Sequence, residues 1–142
     1  MSKNKAVLVT GGFDPIHKGH IEYLREAKKL GDILYVGLNS DHWLTRKKGK
    51  PFMDLENRAM VIQSLDMVDE VIIFNDEDNS SCHAIEQTLL FYDEVIFANG
   101  GDRLISNIPE YEKYGNDKRV KFVCNVGGDK TESSSWLLDK WK

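Results

Sequence analysis

Two histidines three residues apart, His17 and His20, sit in the run Thr10-Gly11-Gly12-Phe13-Asp14-Pro15-Ile16-His17-Lys18-Gly19-His20. A short apolar strand, Ala6-Val7-Leu8-Val9, precedes the run, and an amphipathic helix with Ile21, Leu24, Ala27 and Leu30 near one face follows it. At that spacing both imidazoles fall on the same side of a first helical turn. Gly11 and Gly12 allow a tight strand-to-helix turn, Pro15 stiffens it, and Gly19 leaves room for a ligand. The N–H groups and positive dipole end of such a helix favour an anion. This chemistry suits a phosphate ester, with imidazole N–H groups set where negative charge shifts.

Other segments carry related chemistry. Arg46, Lys47, Lys48 and Lys50 place four cations within five positions of a chain whose formal net charge is −4, and cations of this kind offset charge on a departing pyrophosphate. The expected form is a basic loop running from Arg46 to Lys50 and stopped by Pro51. Asn99-Gly100-Gly101-Asp102-Arg103 follows an apolar run, and its glycines let backbone approach a ligand closely. Ser133, Ser134 and Ser135 open a last helix, where hydroxyls either cap it or cradle a second phosphate. Arg58 is read either as a phosphate ligand or as a helix-surface arginine paired with a carboxylate. His42 and His83 read as surface residues, Asp76-Glu77-Asp78 as a solvated turn, and Cys82 and Cys124 as buried thiols without metal or disulfide spacing.

The elements that must position these groups alternate. Apolar runs at 33–38, 71–74, 95–98 and 120–126 follow the first strand. Helical patterns intervene: one starts at Ser40 or Asp41, one at Asp54, one carries Ile85, Leu89 and Tyr92, and one lies near Glu110 to Tyr114. Continuous apolar strands separated by helices predict an α/β fold. The expected form is a single Rossmann-like domain over 1–142, a parallel five-stranded sheet with helices on both faces. In such sheets ligands bind beyond the carboxyl ends of the strands, which gathers the chemistry-bearing loops on one edge. A chain with 41% hydrophobic and 30% charged residues is globular. Its acidic balance argues against a nucleic-acid partner. No apolar run is long enough to span a bilayer, and no leader-like segment precedes the first strand, so no membrane partner and a cytoplasmic location are expected.

The histidine segment resembles the HxGH signature of the nucleotidyltransferase superfamily, which includes the glycerol-3-phosphate cytidylyltransferases and heptose-1-phosphate adenylyltransferases. The resemblance covers nearly the whole chain, with four motifs in the family's order. It implies that His17, His20, Lys47 and Lys48 are catalytic. Thr10, Gly11, Gly12, Phe13, Gly19, Asn99, Gly101, Asp102, Ser133, Ser134 and Ser135 would bind nucleotide, and Asp14, Arg58 and Lys130 substrate. The cytidylyltransferases carry an arginine shortly before the serine motif, whereas here the only nearby cation is Lys130, a departure because lysine lacks the planar fork. The implied reaction transfers a nucleotidyl group to a small phosphorylated metabolite such as a polyol or sugar phosphate, releasing pyrophosphate. Mg²⁺ would accompany the triphosphate, with no protein side chain assigned to a metal, and a homodimer is expected. Chain length leans towards CTP, while Asn39-Ser40-Asp41, Arg46-Lys47-Lys48-Gly49 and Gly100-Gly101-Asp102 look more like the ATP-using heptose enzymes. A non-catalytic nucleotide-binding module is the rival reading. Class I aminoacyl-tRNA synthetases share the turn, but this chain is too short and acidic to hold a tRNA.

Overall fold

The computed structural model describes residues 4–100 and 108–127. Its elements, in chain order, are β1 (Ala6–Gly11), α1 (Lys18–Lys28), β2 (Ile33–Leu38), α2 (Asp41–Lys48), α3 (Leu55–Gln63), β3 (Glu70–Ile73), α4 (Cys82–Leu89), β4 (Val95–Gly100), α5 (Pro109–Tyr114) and β5 (Val120–Val126). The five strands form one sheet in the order β3-β2-β1-β4-β5, and every neighbouring pair is parallel. The chain builds outward from β1 through β2 to β3, then crosses back to place β4 on the other side of β1. That reversal makes the crevice between the carboxyl ends of β1 and β4 a topological switch point, where ligands of open α/β sheets bind.

Alternation along the strands divides the core in two. Val7, Val9, Val36, Ile96 and Ala98 pack with Leu24 and Ala27 of α1 and Ile62 of α3. Leu8, Val95 and Phe97 turn the other way and pack with Ala84 and Ile85 of α4. Both faces of the central strands are therefore covered, which explains their unbroken apolar character. At the sheet edge β3 is different: Glu70 and Ile73 are exposed. Asp69 ties this edge inward by accepting the Leu34 N–H at 2.8 Å and bonding the Lys28 ammonium.

The apolar runs match the strands closely, with β1 and β4 each reaching two residues further than expected and β3 lying one residue earlier. The expected last helix lies outside the described residues. Cys82 and Cys124 are half-buried rather than buried. No helix among the described residues is long and apolar enough to cross a membrane.

Leu24 is fully buried where α1 meets the sheet, so it anchors the helix that carries both histidines. Leu24→Ala is expected to lower unfolding free energy by about 2–5 kcal/mol in urea denaturation.

Candidate active site

His17 is the N-cap of α1, a position usually held by Ser, Thr, Asp or Asn. Its Nδ1 accepts the Gly19 N–H at 3.1 Å, and the His20 Nδ1 accepts the His17 N–H at 3.2 Å. The two rings stack with centroids 3.9 Å apart. A backbone N–H can only donate, so both Nδ1 atoms are unprotonated and each neutral ring carries its proton on Nε2. Phe13 meets the His20 ring edge-on at 4.8 Å. The helix start thus presents two stacked imidazoles with fixed tautomers, while the Gly19 N–H is taken by the His17 ring and those of His20 and Ile21 by the His17 carbonyl.

Gly19 serves a different purpose from the one its position suggests. A Cβ there would lie 2.9 Å from the His17 ring, so glycine makes room for the capping imidazole rather than for a ligand. At Gly12 a Cβ would come within 2.9 Å of Leu44, and the turn therefore packs directly on α2. Phe13, with φ of 49°, is 5% exposed and belongs to the core. Its side chain supports His20.

The basic segment is a correction to the expected loop. Arg46, Lys47 and Lys48 form the last turn of α2, where cations suit the helix dipole, and only Gly49 and Lys50 follow as loop. Ser40 caps α2 by accepting the Trp43 N–H at 3.0 Å. Arg46 donates to the Asp76 carbonyl and to Asn79. The Lys47 ammonium lies 4.8 Å from the Trp43 ring centroid. Lys48 reaches the turn, bonding the Asp14 carbonyl at 2.6 Å and its carboxylate at 3.0 Å.

Asp14 and Arg58, both expected to bind substrate, are used internally. Asp14 is 2% exposed, and its carboxylate accepts the N–H groups of Phe52 and Met53 besides holding Lys48. Arg58 is 1% exposed. Its guanidinium donates to the carbonyls of Met53 (3.0 Å), Gly12 (3.0 Å) and Asn39 (2.8 Å), and to the Asp41 carboxylate (2.7 Å). The surface-arginine alternative also fails, although its carboxylate partner is real. The planar fork that would have suited a phosphate instead locks three backbone segments.

Asp76, expected in a solvated turn, is 3% exposed. It accepts the Ser40 N–H and hydroxyl, each at 2.8 Å, and the Asn39 amide at 3.0 Å. Burial raises its carboxyl pKa, but these hydrogen bonds outweigh burial and hold it below the ordinary carboxylate value. His83 likewise has partners: it accepts the Asn75 N–H at 2.7 Å and lies 3.3 Å from the Gln87 amide. His42 is exposed, as expected.

On the α4 face of the switch point, Thr10 shares a 2.8 Å hydrogen bond with the hydroxyl of Ser81, the α4 N-cap. Buried Glu110 accepts the Ser81 N–H at 2.6 Å. Asn99 ends the apolar part of β4 and is 7% exposed. Ser81 and Glu110 carried no signal in the sequence, because only the crossover brings them beside β1. Gly101, Asp102, Lys130, Ser133, Ser134 and Ser135 lie outside the described residues.

A parallel sheet with two imidazoles on the helix start at its switch point is the arrangement expected from the resemblance to the nucleotidyltransferases. The family model described as cytidylyltransferase-like matches residues 8–135, and the chain belongs to that family. It is 37% identical over 141 residues to the bifunctional protein HldE of Geobacter metallireducens, a match covering 96% of this chain and 26% of the relative. The HldE of Blochmanniella floridana is 44% identical over 140 residues, covering 95% and 27%. The chain therefore spans about a quarter of the length of these curated relatives. A solved lipopolysaccharide core biosynthesis protein from Thermoplasma volcanium superposes with a TM-score of 0.68 at 30% identity, over 86% of this chain and 96% of that one.

Two outcomes follow from this wiring. Arg58→Ala should cost about 3–5 kcal/mol, since it strands buried carbonyls and Asp41, and Arg58→Lys should recover little because an ammonium cannot span them. Denaturant titration measures both. Asp76 is held below its unfolded pKa, so its contribution is present above about pH 4 and lost as pH falls below it. Stability measured across that range should drop more steeply for the native chain than for Asp76→Asn.

Proposed function

We propose that the domain catalyses nucleotidyl transfer: a phosphate oxygen of a small phosphorylated metabolite attacks the α-phosphorus of a nucleoside triphosphate, and pyrophosphate leaves. The observation that carries this reading is the locked pair of imidazoles at the start of α1. Each Nδ1 is turned onto a backbone N–H, so the Nε2–H on the far side of each ring is the group that would donate to phosphate oxygens. Donors held in place before the reaction stabilise developing charge without reorganising. The reaction needs no covalent intermediate, and positioning two phosphates in line supplies much of the acceleration.

Lys48 is the cation held against the turn, and Lys47 stands one position away on the same helix end. Both fit a role in offsetting charge on the departing pyrophosphate. The carboxylates nearest the turn are already engaged, Asp14 with Lys48 and two N–H groups and Asp41 with Arg58. Mg²⁺ therefore fits as a companion of the triphosphate, holding phosphate oxygens and water in its usual manner. Similarity to the HldE proteins supports ATP as donor, the heptose-1-phosphate adenylyltransferase alternative, over CTP.

The test is pyrophosphate release from each of the four nucleoside triphosphates with a panel of sugar and polyol phosphates, where ATP should give the highest kcat/KM. A nucleotide that binds without acceptor-dependent pyrophosphate release would instead indicate the non-catalytic module. His17→Asn separates capping from catalysis, because asparagine is a good N-cap yet lacks the Nε2–H. It should melt within a few degrees of the native chain while turnover falls on the order of 10²–10³-fold. Native turnover in that variant would remove His17 from the chemistry.

A further inference from the structure

The last turn of α2 carries three cations, Arg46, Lys47 and Lys48, and a different kind of group holds each. Arg46 donates to a backbone carbonyl and a side-chain amide, and Lys48 pairs with the Asp14 carboxylate. The Lys47 ammonium lies over the face of Trp43, 4.8 Å from the ring centroid. Trp43 stands one helical turn before Lys47, so the two share a side of α2. The same indole also reaches the β1–α1 turn. Its benzo edge, at Cζ3, is 3.8 Å from where a Cβ on Gly12 would stand, so the ring packs close to the backbone there. The base of the ring is fixed as well. Ser40 accepts the Trp43 N–H, Asp76 holds Ser40, and the neighbouring Leu44 is buried against Gly12. One side chain thus spans the gap between the glycine turn and a cation, and nothing in the capping of α2 requires it to be aromatic.

We propose that Trp43 is a positioning residue: its indole holds the Lys47 ammonium beside the Gly12 turn, where charge builds on the departing pyrophosphate. The inference rests on the nucleotidyl-transfer reading and deepens it. A lysine at a helix end has a flexible four-carbon stem and a strongly hydrated head. Holding that head in place beforehand removes a reorganisation that would otherwise accompany the shift of charge. An aromatic face suits this purpose better than a carboxylate. The ring attracts the ammonium through its quadrupole yet carries no formal charge, so its hold leaves the charge of the lysine intact. A carboxylate in its place would offset that charge and repel the triphosphate. With its edge against the turn, the indole sets how far the ammonium stands from Gly12 as well as where it lies on the helix. Lys47 meets the leaving group, and Trp43 acts through Lys47.

A double-mutant cycle in the full chain, read by calorimetric titration with inorganic pyrophosphate and Mg²⁺, tests this without requiring turnover. Trp43→Leu should weaken pyrophosphate binding about fivefold to tenfold, and Trp43→Phe, which keeps an aromatic face, should recover most of the loss. In a Lys47→Met background, Trp43→Leu should change affinity by less than about twofold, because the group it positions has gone. A merely structural tryptophan would show the same loss in both backgrounds. If Trp43→Leu fails to fold, replacing tryptophan throughout by a fluorinated tryptophan keeps the shape of the ring and weakens its negative face. That labelling should weaken pyrophosphate binding in the native chain but not in Trp43→Phe, where the remaining tryptophans serve as the control. Equal losses with and without Lys47, an unchanged affinity in folded Trp43→Leu, or fluorination without effect would each overturn the assignment. Pyrophosphate release from ATP with the sugar and polyol phosphates is read separately, and in Trp43→Leu kcat should fall further than the KM for ATP rises. Coupled pyrophosphate binding in a native chain that releases none defeats the proposed reaction and leaves the positioning standing. Release without coupling defeats this inference alone.

Discussion

One buried cation holds the site in shape. Arg58 comes from α3, yet its guanidinium reaches the carbonyl of Gly12 in the β1–α1 turn, that of Asn39 after β2, and that of Met53 before α3. None of these segments is in a regular element there, so each has carbonyls without a helix or strand partner. A buried charge is tolerated only when its hydrogen bonds are met, and buried carbonyls are tolerated on the same terms. Each requirement satisfies the other, and the result is a rigid junction between the turn, the start of α2 and the loop before α3. Asp14 adds a second clasp across the same gap through Phe52, Met53 and Lys48.

That junction sets the geometry of the helix start that carries the two histidines. With the turn fixed, His17 adopts the extended backbone of an N-cap and both Nδ1 atoms fold back onto backbone N–H groups. The imidazoles therefore commit their Nδ1 atoms to structure, and the proposed chemistry falls to their Nε2 atoms. Asp76 extends the same logic to β3: its hydrogen bonds to Asn39 and Ser40 fix the start of α2 and so the direction in which the cationic end of that helix runs. Two residues that look like candidates for ligand contact or solvent, Arg58 and Asp76, are better understood as positioning residues.

The sheet separates two kinds of chemistry around β1. Towards α1 and the end of α2 lie the two imidazoles and the Lys47 and Lys48 ammonium groups. Towards α4 lie the Thr10 and Ser81 hydroxyls and the Glu110 carboxylate, joined by hydrogen bonds through Ser81.

The sequence by itself determined the elements and the edge on which chemistry gathers. Continuous apolar runs report burial on both faces, which is a property of parallel sheets, and the spacing of His17 and His20 reports a helical turn; both signals are local and survive in one dimension. Helix starts at Ser40 or Asp41 and at Asp54 were legible for the same reason, and the caps prove to be Ser40 and Asp54. What only tertiary structure decided is which polar groups look inward. Arg58, Asp14, Asp76 and Glu110 have the composition of surface residues, and their partners lie 17 to 46 residues away for Arg58's longer contacts and 29 for Glu110. Whether such a group binds ligand or backbone depends on which unpaired carbonyls and N–H groups the crossover delivers beside it, and no periodicity in the chain records that.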